Sequence, residues 1–195
     1  MKKKFLFISG AVVLIFILLL VSTYNSLVKK EEKVKQDWSE VQNTYQRRLD
    51  LIPNLVSVVK GVSEFEKNVL QKVTEARSRA SGIFTEKEIN SENYYKQKQL
   101  QDSLAASVNR LILLIEAYPE LQATKSYLAL QKQLVGTERR IAVARKDFNE
   151  SVFEYNKVVK RFPSNLTARL FGFKQRQGFT SDTGAEKAVE IKFVK

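Results

Sequence analysis

The chain begins with an apolar run, from Phe5 to Val21, that contains no charged residue. Three lysines, Lys2–Lys4, precede the run, and Tyr24 lies shortly after it. About 20 helical residues at about 1.5 Å each span the hydrocarbon core of a bilayer, which is about 30 Å thick. The pattern therefore predicts a transmembrane helix over residues 1–24.

A secretory signal peptide begins with a similar pattern of lysines and apolar residues. The residues after this run read VSTYNS, which lacks the small-residue pattern of a cleavage site. We therefore predict an uncleaved, single-pass signal-anchor in the cell membrane.

The lysines before the run favour a cytoplasmic amino terminus, which would make the following domain extracytoplasmic. Lys29, Lys30, Lys33 and Lys35, just past the other end of the span, oppose this orientation. The amino terminus adds to the charge of the leading lysines, and the absence of cysteine suits an extracytoplasmic domain. An outward-facing domain is therefore the prediction.

Beyond the span, apolar residues recur at alternating steps of three and four, which is the period of packed helices and coiled coils. The successive stripes are Leu27–Ile52, Leu55–Ala76, Leu100–Tyr118 and Tyr127–Phe162. We predict an all-α fold, in which the N-terminal transmembrane helix is followed by a four-helix antiparallel bundle with long helices over residues 25–162. The first stripe keeps the phase of the span, so the anchor and the first helix are expected to form one rod.

Three prolines mark expected breaks in the pattern. Pro53 suits the first turn of the second helix, and Pro119 and Pro163 precede and follow the fourth stripe. Residues 163–195 contain several glycines, and apolar and charged residues alternate over 189–193 as in a strand. We expect a tail that is partly disordered or that adds a strand to the sheet edge of another protein.

The composition limits the kinds of catalytic and metal site that the chain can form. The 195-residue chain carries 33 Lys and Arg against 21 Asp and Glu, a net charge of +12, and it contains neither Cys nor His. A thiol nucleophile, a Ser-His-Asp triad, a Cys/His zinc site and a Glu-x-x-His di-iron site are therefore all excluded. We predict no catalytic residue, no cofactor and no metal, and the alternative is an enzyme that uses a carboxylate pair or a lysine.

Some polar residues lie on or beside the apolar stripes and are not explained by packing alone. One interpretation is a buried network that specifies the register of the helices, and the other is a docking face for a partner or ligand. One arginine of the set is expected to pair with Asp50 or with Glu138. The candidates are Gln46, Arg47, Arg48, Asp50, Asn54, Glu138, Arg140, Asn149 and Asn156.

Several blocks of sequence are specific enough to indicate a family. They read YNSLV after the span, then WSEVQNTYQRRLDLIPNLVSVVKG, EAYPEL and GTERRIAVARKDFNESVFEYN. Together they resemble the LemA family over most of the chain. The resemblance implies a bacterial, membrane-anchored helical bundle with no established catalytic residues. The positions that keep the family pattern in its QRR and IPN blocks are Gln46, Arg47, Arg48, Asp50, Pro53 and Asn54.

A single anchor, long helices and the absence of a catalytic constellation predict a non-enzymatic scaffold or adaptor. It would present its helical bundle to other proteins of the cell envelope. The alternative is an electrostatic binder of polyanions, such as acidic lipid or an anionic wall polymer. No motif that reads nucleic acid is present, so the expected partners are the lipid bilayer and membrane or envelope proteins. The sequence leaves self-association open.

Overall fold

A computed structural model describes residues 2–61, 66–82 and 91–179 of the chain. These residues form helices joined by turns and end in an extended segment over residues 173–179, so the predicted all-α fold is confirmed. The helices are α1 (Lys2–Lys60), α2 (Lys67–Ser81), α3 (Ser91–Ile115), α4 (Pro119–Gln122), α5 (Lys125–Lys160) and α6 (Ser164–Leu170).

Helix α1 is a continuous rod of 59 residues that carries both the apolar span and one wall of the bundle. Its large apolar side chains between Phe7 and Leu19 are exposed, whereas Leu27, Val34 and Trp38 are buried. Among the described residues, α1 is the helix that is long and apolar enough to cross a membrane. The expected continuity of the span with the first bundle helix is confirmed.

Helix α5 runs antiparallel to α1 along most of its length. Lys30 contacts Glu154 near the end of α5, and Arg48 contacts Glu138 nearer its start. At about 1.5 Å per residue, the 36 residues of α5 extend for about 54 Å.

Helix α3 runs parallel to α1, because Trp38 packs on Tyr94 and Arg48, further along α1, bonds to Gln101. Helix α2 lies between these two helices in the chain and packs against both. The order α1, α2, α3, α5 is therefore the predicted up-down-up-down arrangement. The 15 residues of α2 cover the end of the bundle that is far from the anchor.

The predicted helix break at Pro53 is wrong, because α1 continues through this residue to Lys60. Proline lacks the N–H that would bond to the carbonyl of Leu49, four residues earlier. The side chain of Arg77 on α2 takes that place, since its Nε donates to the Leu49 oxygen at 2.9 Å. The buried stripe also continues past the proline, so a break there would expose apolar side chains.

The region after Pro163 differs from the expected disordered or strand-forming tail as far as the structure describes it. Residues 164–170 form α6, and residues 173–179 run extended beside α5 and α1. This segment occupies the anchor-side half of the bundle, to which α2 does not extend. Residues 180–195, including the alternation at 189–193, lie outside the described residues.

One position on the predicted stripes is not buried, and two others lie outside the described residues. Phe162, expected on the buried face of the fourth helix, is 74% exposed. Helix α5 ends at Lys160, so the chain leaves the helical path before Phe162 would turn inward. Val62 and Phe65 lie outside the described residues.

The core consists of two apolar clusters. The distal cluster, far from the anchor, joins α1 beyond Leu49 to α2, α3 and the first part of α5. The proximal cluster joins α1 from Val34 to Tyr45 with the second half of α5 and the start of α3. Between the two clusters lies a layer of buried polar residues, which are Thr44, Arg48, Gln97, Gln101 and Thr137.

Candidate functional site

Arg48 brings a positive charge into the polar layer, where the residue is only 3% exposed. Its Nε donates to Glu138 Oε1 at 2.8 Å, and its Nη2 donates to the other oxygen of the same carboxylate. Its Nη1 donates to the backbone oxygen and to Oε1 of Gln101, at 3.0 and 3.1 Å. The Glu138 side chain is 50% exposed. The expected arginine pairing therefore joins Arg48 to Glu138, and it connects a buried cation to the surface.

A second arginine, Arg145, completes the layer on the anchor side. Its Nε donates to Tyr45 Oη at 2.8 Å, and its Nη2 donates to Asp102 Oδ1 at 2.9 Å. Lys98 Nζ donates to the other oxygen of Asp102 at 2.8 Å. The guanidinium carbon also lies 5.4 Å from the centroid of the Tyr45 ring, within cation–π range. These contacts hold α1, α3 and α5 at one level.

Burial and pairing act in opposite directions on the charged groups of this cluster. Burial raises the pKa of Asp102, but the hydrogen bonds from Lys98 and Arg145 outweigh it, so the pKa lies below its ordinary value. Burial lowers the pKa of Arg145, but its contacts with Tyr45 and Asp102 outweigh this and raise the pKa. Burial raises the pKa of the Tyr45 phenol. Each pKa moves away from neutrality, so the cluster suits permanent pairing better than proton transfer near pH 7.

Gln97 and Gln101 form the part of the layer contributed by α3, where they are 2% and 0% exposed. Their amide nitrogens have no hydrogen-bond partner within the part of the chain that the structure describes. A buried donor without a partner costs free energy that an apolar residue would avoid. Polar groups kept at such a cost are the expected means of specifying one register among the alternatives that heptad stripes allow.

The remaining candidates on α1 lie on its exposed face. Gln46, Arg47, Asp50 and Asn54 fall within a single sector of about 100° around the helix, at about 100° per residue, and all are exposed. Gln46 Nε2 donates to Asp50 Oδ1 at 2.8 Å across one turn. Arg140 is exposed on α5. We call the four residues of α1 the α1 polar face. The structure separates them from Arg48 and Glu138.

Asn149 and Asn156 do not face the other helices, because both bind the extended segment 173–179. Asn149 Nδ2 donates to the Phe179 oxygen at 3.0 Å, and its Oδ1 accepts from the Phe179 nitrogen at 2.7 Å. Asn156 makes the same reciprocal pair with the backbone of Arg176, at 2.7 and 2.9 Å. We call this arrangement the asparagine clasp.

The spacing of the clasp has a simple origin. Seven helical residues, from Asn149 to Asn156, rise about 10 Å, and three extended residues, from Arg176 to Phe179, also span about 10 Å. Each carboxamide then makes the two backbone hydrogen bonds that a residue of a neighbouring β-strand would make. The segment is held further by the Tyr155 hydroxyl, which donates to the Lys174 oxygen at 2.9 Å.

The clasp delivers an aromatic side chain to the proximal cluster. The Phe179 ring lies 5.4 Å from that of Phe148 and 5.9 Å from that of Trp38, between ring centroids. Gly178 permits this approach, because a Cβ there would lie 2.5 Å from Asn149 Oδ1. The C-terminal segment is therefore an integral part of the bundle.

Comparison with known proteins agrees with this architecture. A model of the LemA family matches residues 37–193. The chain belongs to the LemA family. The match includes α1 from Asp37 onward, the rest of the bundle and the segment held by the clasp.

Relatives of this LemA family protein differ in name and organism. The magnetosome proteins MamQ 1 and MamQ 2 of Paramagnetospirillum magneticum are each 28% identical over 190 residues, covering 88% of this chain and 70% of the relative. Protein LemA of Metamycoplasma hominis is 25% identical over 169 residues, covering 86% of this chain and 74% of the relative. These similarities are distant and show no specific activity, and membership of the family rests on the match to its model.

Sequence reasoning assigned no polar role to Gln97 and Gln101 of the layer, or to Asp102 and Tyr45, which bind Arg145 beside it. Extending the three-four stripe of α3 backwards from Leu104 reaches Gln101 and then Gln97, so the register alone contained the signal for those two. Asp102 lies beside the stripe, and only the approach of Arg145 from α5 shows its role. Tyr45 was placed in the core, and its hydroxyl emerges as the acceptor for the same arginine.

The site offers no arrangement suited to a metal ion in the part of the chain that the structure describes, since no three carboxylates gather there. What the arrangement does is align helices. Arg48 of α1 binds the carboxylate of Glu138 on α5. Arg145 of α5 binds the carboxylate of Asp102 on α3 and the hydroxyl of Tyr45 on α1.

Proposed function

We propose that this LemA family protein is a non-enzymatic, single-pass membrane scaffold whose bundle docks other proteins of the cell envelope. The observation that carries the proposal is the continuity of α1, which joins the apolar span to the bundle without a flexible linker. Such a joint holds the docking surface at a set height and orientation above the bilayer. An enzyme that acts on soluble substrates has no evident need for that constraint.

The α1 polar face is the surface that we assign to docking. Its residues are exposed on the helix that fixes the orientation, and they are not consumed by the networks that hold the bundle together. Arg47 provides a charged donor at one edge of the face, and Asn54 provides an amide at its distal end. A partner with carboxylates or free backbone groups would satisfy them.

The test is site-specific photocrosslinking of the full chain in its own membrane. A photoreactive amino acid replaces Asn54 on the α1 polar face or, as the matched control, Gln133 on the exposed surface of α5. We expect a discrete crosslinked protein from position 54 that is absent from position 133. The same product should disappear when Arg47→Glu is added, without a change in the amount of protein in the membrane.

Three results would count against the proposal. They are identical crosslinks from the two positions, no crosslink from position 54, and a crosslink that survives Arg47→Glu. The predicted outward orientation decides which proteins are candidates for the partner.

The alternative function, electrostatic binding of polyanions, stays a prediction for the domain as a whole. The net charge of +12 supports it, and binding of this kind should weaken steeply as salt is raised. A local version of it, for acidic lipid, rests on the contacts of α6.

A further inference from the structure

Helix α6 and its flanks expose large apolar side chains at the base of the bundle. Phe162 is 74% exposed, Leu166 52%, Leu170 69% and Phe171 53%. By contrast, Thr167 and Ala168 on the opposite side of α6 are buried against the bundle. Because α6 packs on the bundle through Thr167 and Ala168, its large apolar side chains point to the outside.

This apolar surface lies where the membrane span ends. Phe162 and Pro163 line a cleft together with Ser22 and Thr23, the residues that directly follow the apolar run of α1. The Phe171 ring lies 4.8 Å from that of Tyr24, between centroids. At about 1.5 Å per residue, Tyr24 is only about 5 Å along α1 from Val21, the last residue of the run. Aromatic and amphipathic side chains are enriched at this depth, where hydrocarbon meets the headgroups.

Basic residues surround the apolar surface. No Asp or Glu occurs from residue 155 to residue 181, a stretch that contains six Lys and Arg. Two of the six are paired, Lys157 with Glu154 and Arg176 with Glu31. The exposed basic residues that remain are Lys160, Arg161, Arg169 and Lys174. Apolar side chains with a basic rim are the composition that binds the interface of an anionic bilayer.

We propose that α6, with Phe162 and Phe171, is a second membrane contact that lies in the headgroup region of anionic lipid beside the span. The inference rests on the membrane anchor of the proposed function. It adds that the bundle touches the bilayer at two points, which would stop it from tilting about the end of α1. The occupant is lipid because the surface is continuous with the span itself and because its charge opposes that of acidic headgroups.

The absence of cysteine from the chain makes the test direct. Single cysteines replace Leu166 or Leu170 in the full-length chain, a nitroxide label is attached, and the protein is reconstituted into vesicles of phosphatidylcholine with phosphatidylglycerol. Leu128 (52% exposed), near the start of α5, and Leu113 (64% exposed), near the end of α3, lie at the end of the bundle far from the span. They are controls of the same type and similar exposure. Electron paramagnetic resonance then compares access of oxygen, which partitions into lipid, with access of a water-soluble nickel chelate.

We expect the ratio of oxygen access to nickel access at positions 166 and 170 to exceed that at 128 and 113 several-fold. The ratio should fall when phosphatidylglycerol is omitted or when the four exposed basic residues are changed to Gln. Equal ratios at all four positions would overturn the proposal. A ratio that stays the same when phosphatidylglycerol is omitted and when the basic residues are changed would overturn the electrostatic part of the proposal.

Three further outcomes are distinguishable. A label at Val13, within the span, should show the highest ratio of all. If it does and positions 166 and 170 do not, the inference fails while the anchor stands; if Val13 is also exposed to water, the anchor fails first. Position 166 could instead be protected from both reagents, and this protection could be lost when the vesicles are diluted with lipid that contains no protein. That result would assign the surface to a second copy of the chain and overturn the lipid assignment.

Discussion

Arg48 is a buried cation, and among the described residues Glu138 is the carboxylate within ion-pair distance of it. Glu138→Ala should lower the free energy of unfolding by about 2–3 kcal/mol, because it leaves the guanidinium buried with only Gln101 as partner. The figure lies below that of a fully buried pair because Glu138 is half exposed. Chemical denaturation of the protein in detergent measures it.

The control for this change is Glu150→Ala, at an exposed position of the same helix. It should alter stability by no more than about 0.5 kcal/mol. If Glu138→Ala behaves like the control, the network interpretation is wrong for this pair, and Glu138 becomes a candidate for the docking surface.

Asp102 gives the protein a defined sensitivity to acid. Its folded pKa lies below the ordinary value because of Lys98 and Arg145, despite burial, which acts the other way. The stabilisation is therefore complete above the unfolded pKa, about 3.9, and is lost as the pH falls through the lower, folded pKa. Asp102→Asn should reduce stability at pH 7 and make the loss of stability below about pH 4 shallower.

Helical circular dichroism followed during acid titration tests this prediction. Asp147→Asn, on the exposed surface of α5, serves as the control and should leave the titration unchanged. An acid transition of undiminished steepness in Asp102→Asn would show that other carboxylates are responsible.

Among the elements, α1 owes its length to a contact from α2. Arg77 donates to the Leu49 carbonyl that Pro53 leaves without its helical partner. Arg77→Ala should therefore cost about 1–2 kcal/mol. In a Pro53→Ala background the new N–H restores the helical bond, so the same change should cost much less.

A double-mutant cycle of these two positions measures the coupling. Additive effects would mean that Arg77 stabilises the bundle by other contacts. The cycle is informative because the sequence alone predicted that Pro53 would end a helix.

The clasp couples α5 to the C-terminal segment, and two glycines allow a matched test. Gly178→Ala places a Cβ against Asn149 Oδ1, so it should break the pair of bonds to Phe179 and destabilise the protein by about 1–2 kcal/mol. Gly136→Ala, within α5 and with open space around it, should instead stabilise it by about 0.5–1 kcal/mol.

Hydrogen exchange at the Phe179 and Arg176 amides separates a local effect from a global one. Faster exchange at Phe179 in Gly178→Ala, with unchanged exchange in α1, is the expected result. Slow exchange at Phe179 in that variant would contradict the clasp.

At the scale of the whole molecule, orientation in the membrane decides which proteins can dock on the bundle. The bundle is predicted to face outward, so Leu128→Cys, at an exposed position of α5, should react with a membrane-impermeant maleimide added to intact cells. Because the natural chain has no cysteine, the parent protein is the blank. Labelling only after lysis would reverse the orientation and limit docking partners to cytoplasmic proteins.

The sequence by itself determined the all-α class and the buried faces of the long helices, although it placed the end of α1 wrongly at Pro53 and did not predict α4 or α6. The apolar run and the three-four stripes identified the span, the helices and most of the core, because a helix must turn its apolar residues toward a partner or toward lipid wherever it lies. It also indicated that Arg48 and Glu138 have a role that apolar packing does not explain. These inferences depend on periodicity, which is local.

Tertiary structure alone decided what depends on groups that are distant in sequence. Pro53 lies inside a helix because Arg77 arrives from α2, and Asp102 matters because Arg145 arrives from α5. Asn149 and Asn156 bind the chain's own extended segment, since their carboxamides meet its backbone and not another helix. Hydrogen bonds need atoms about 3 Å apart with correct alignment, and no spacing along one chain specifies that for residues on different elements.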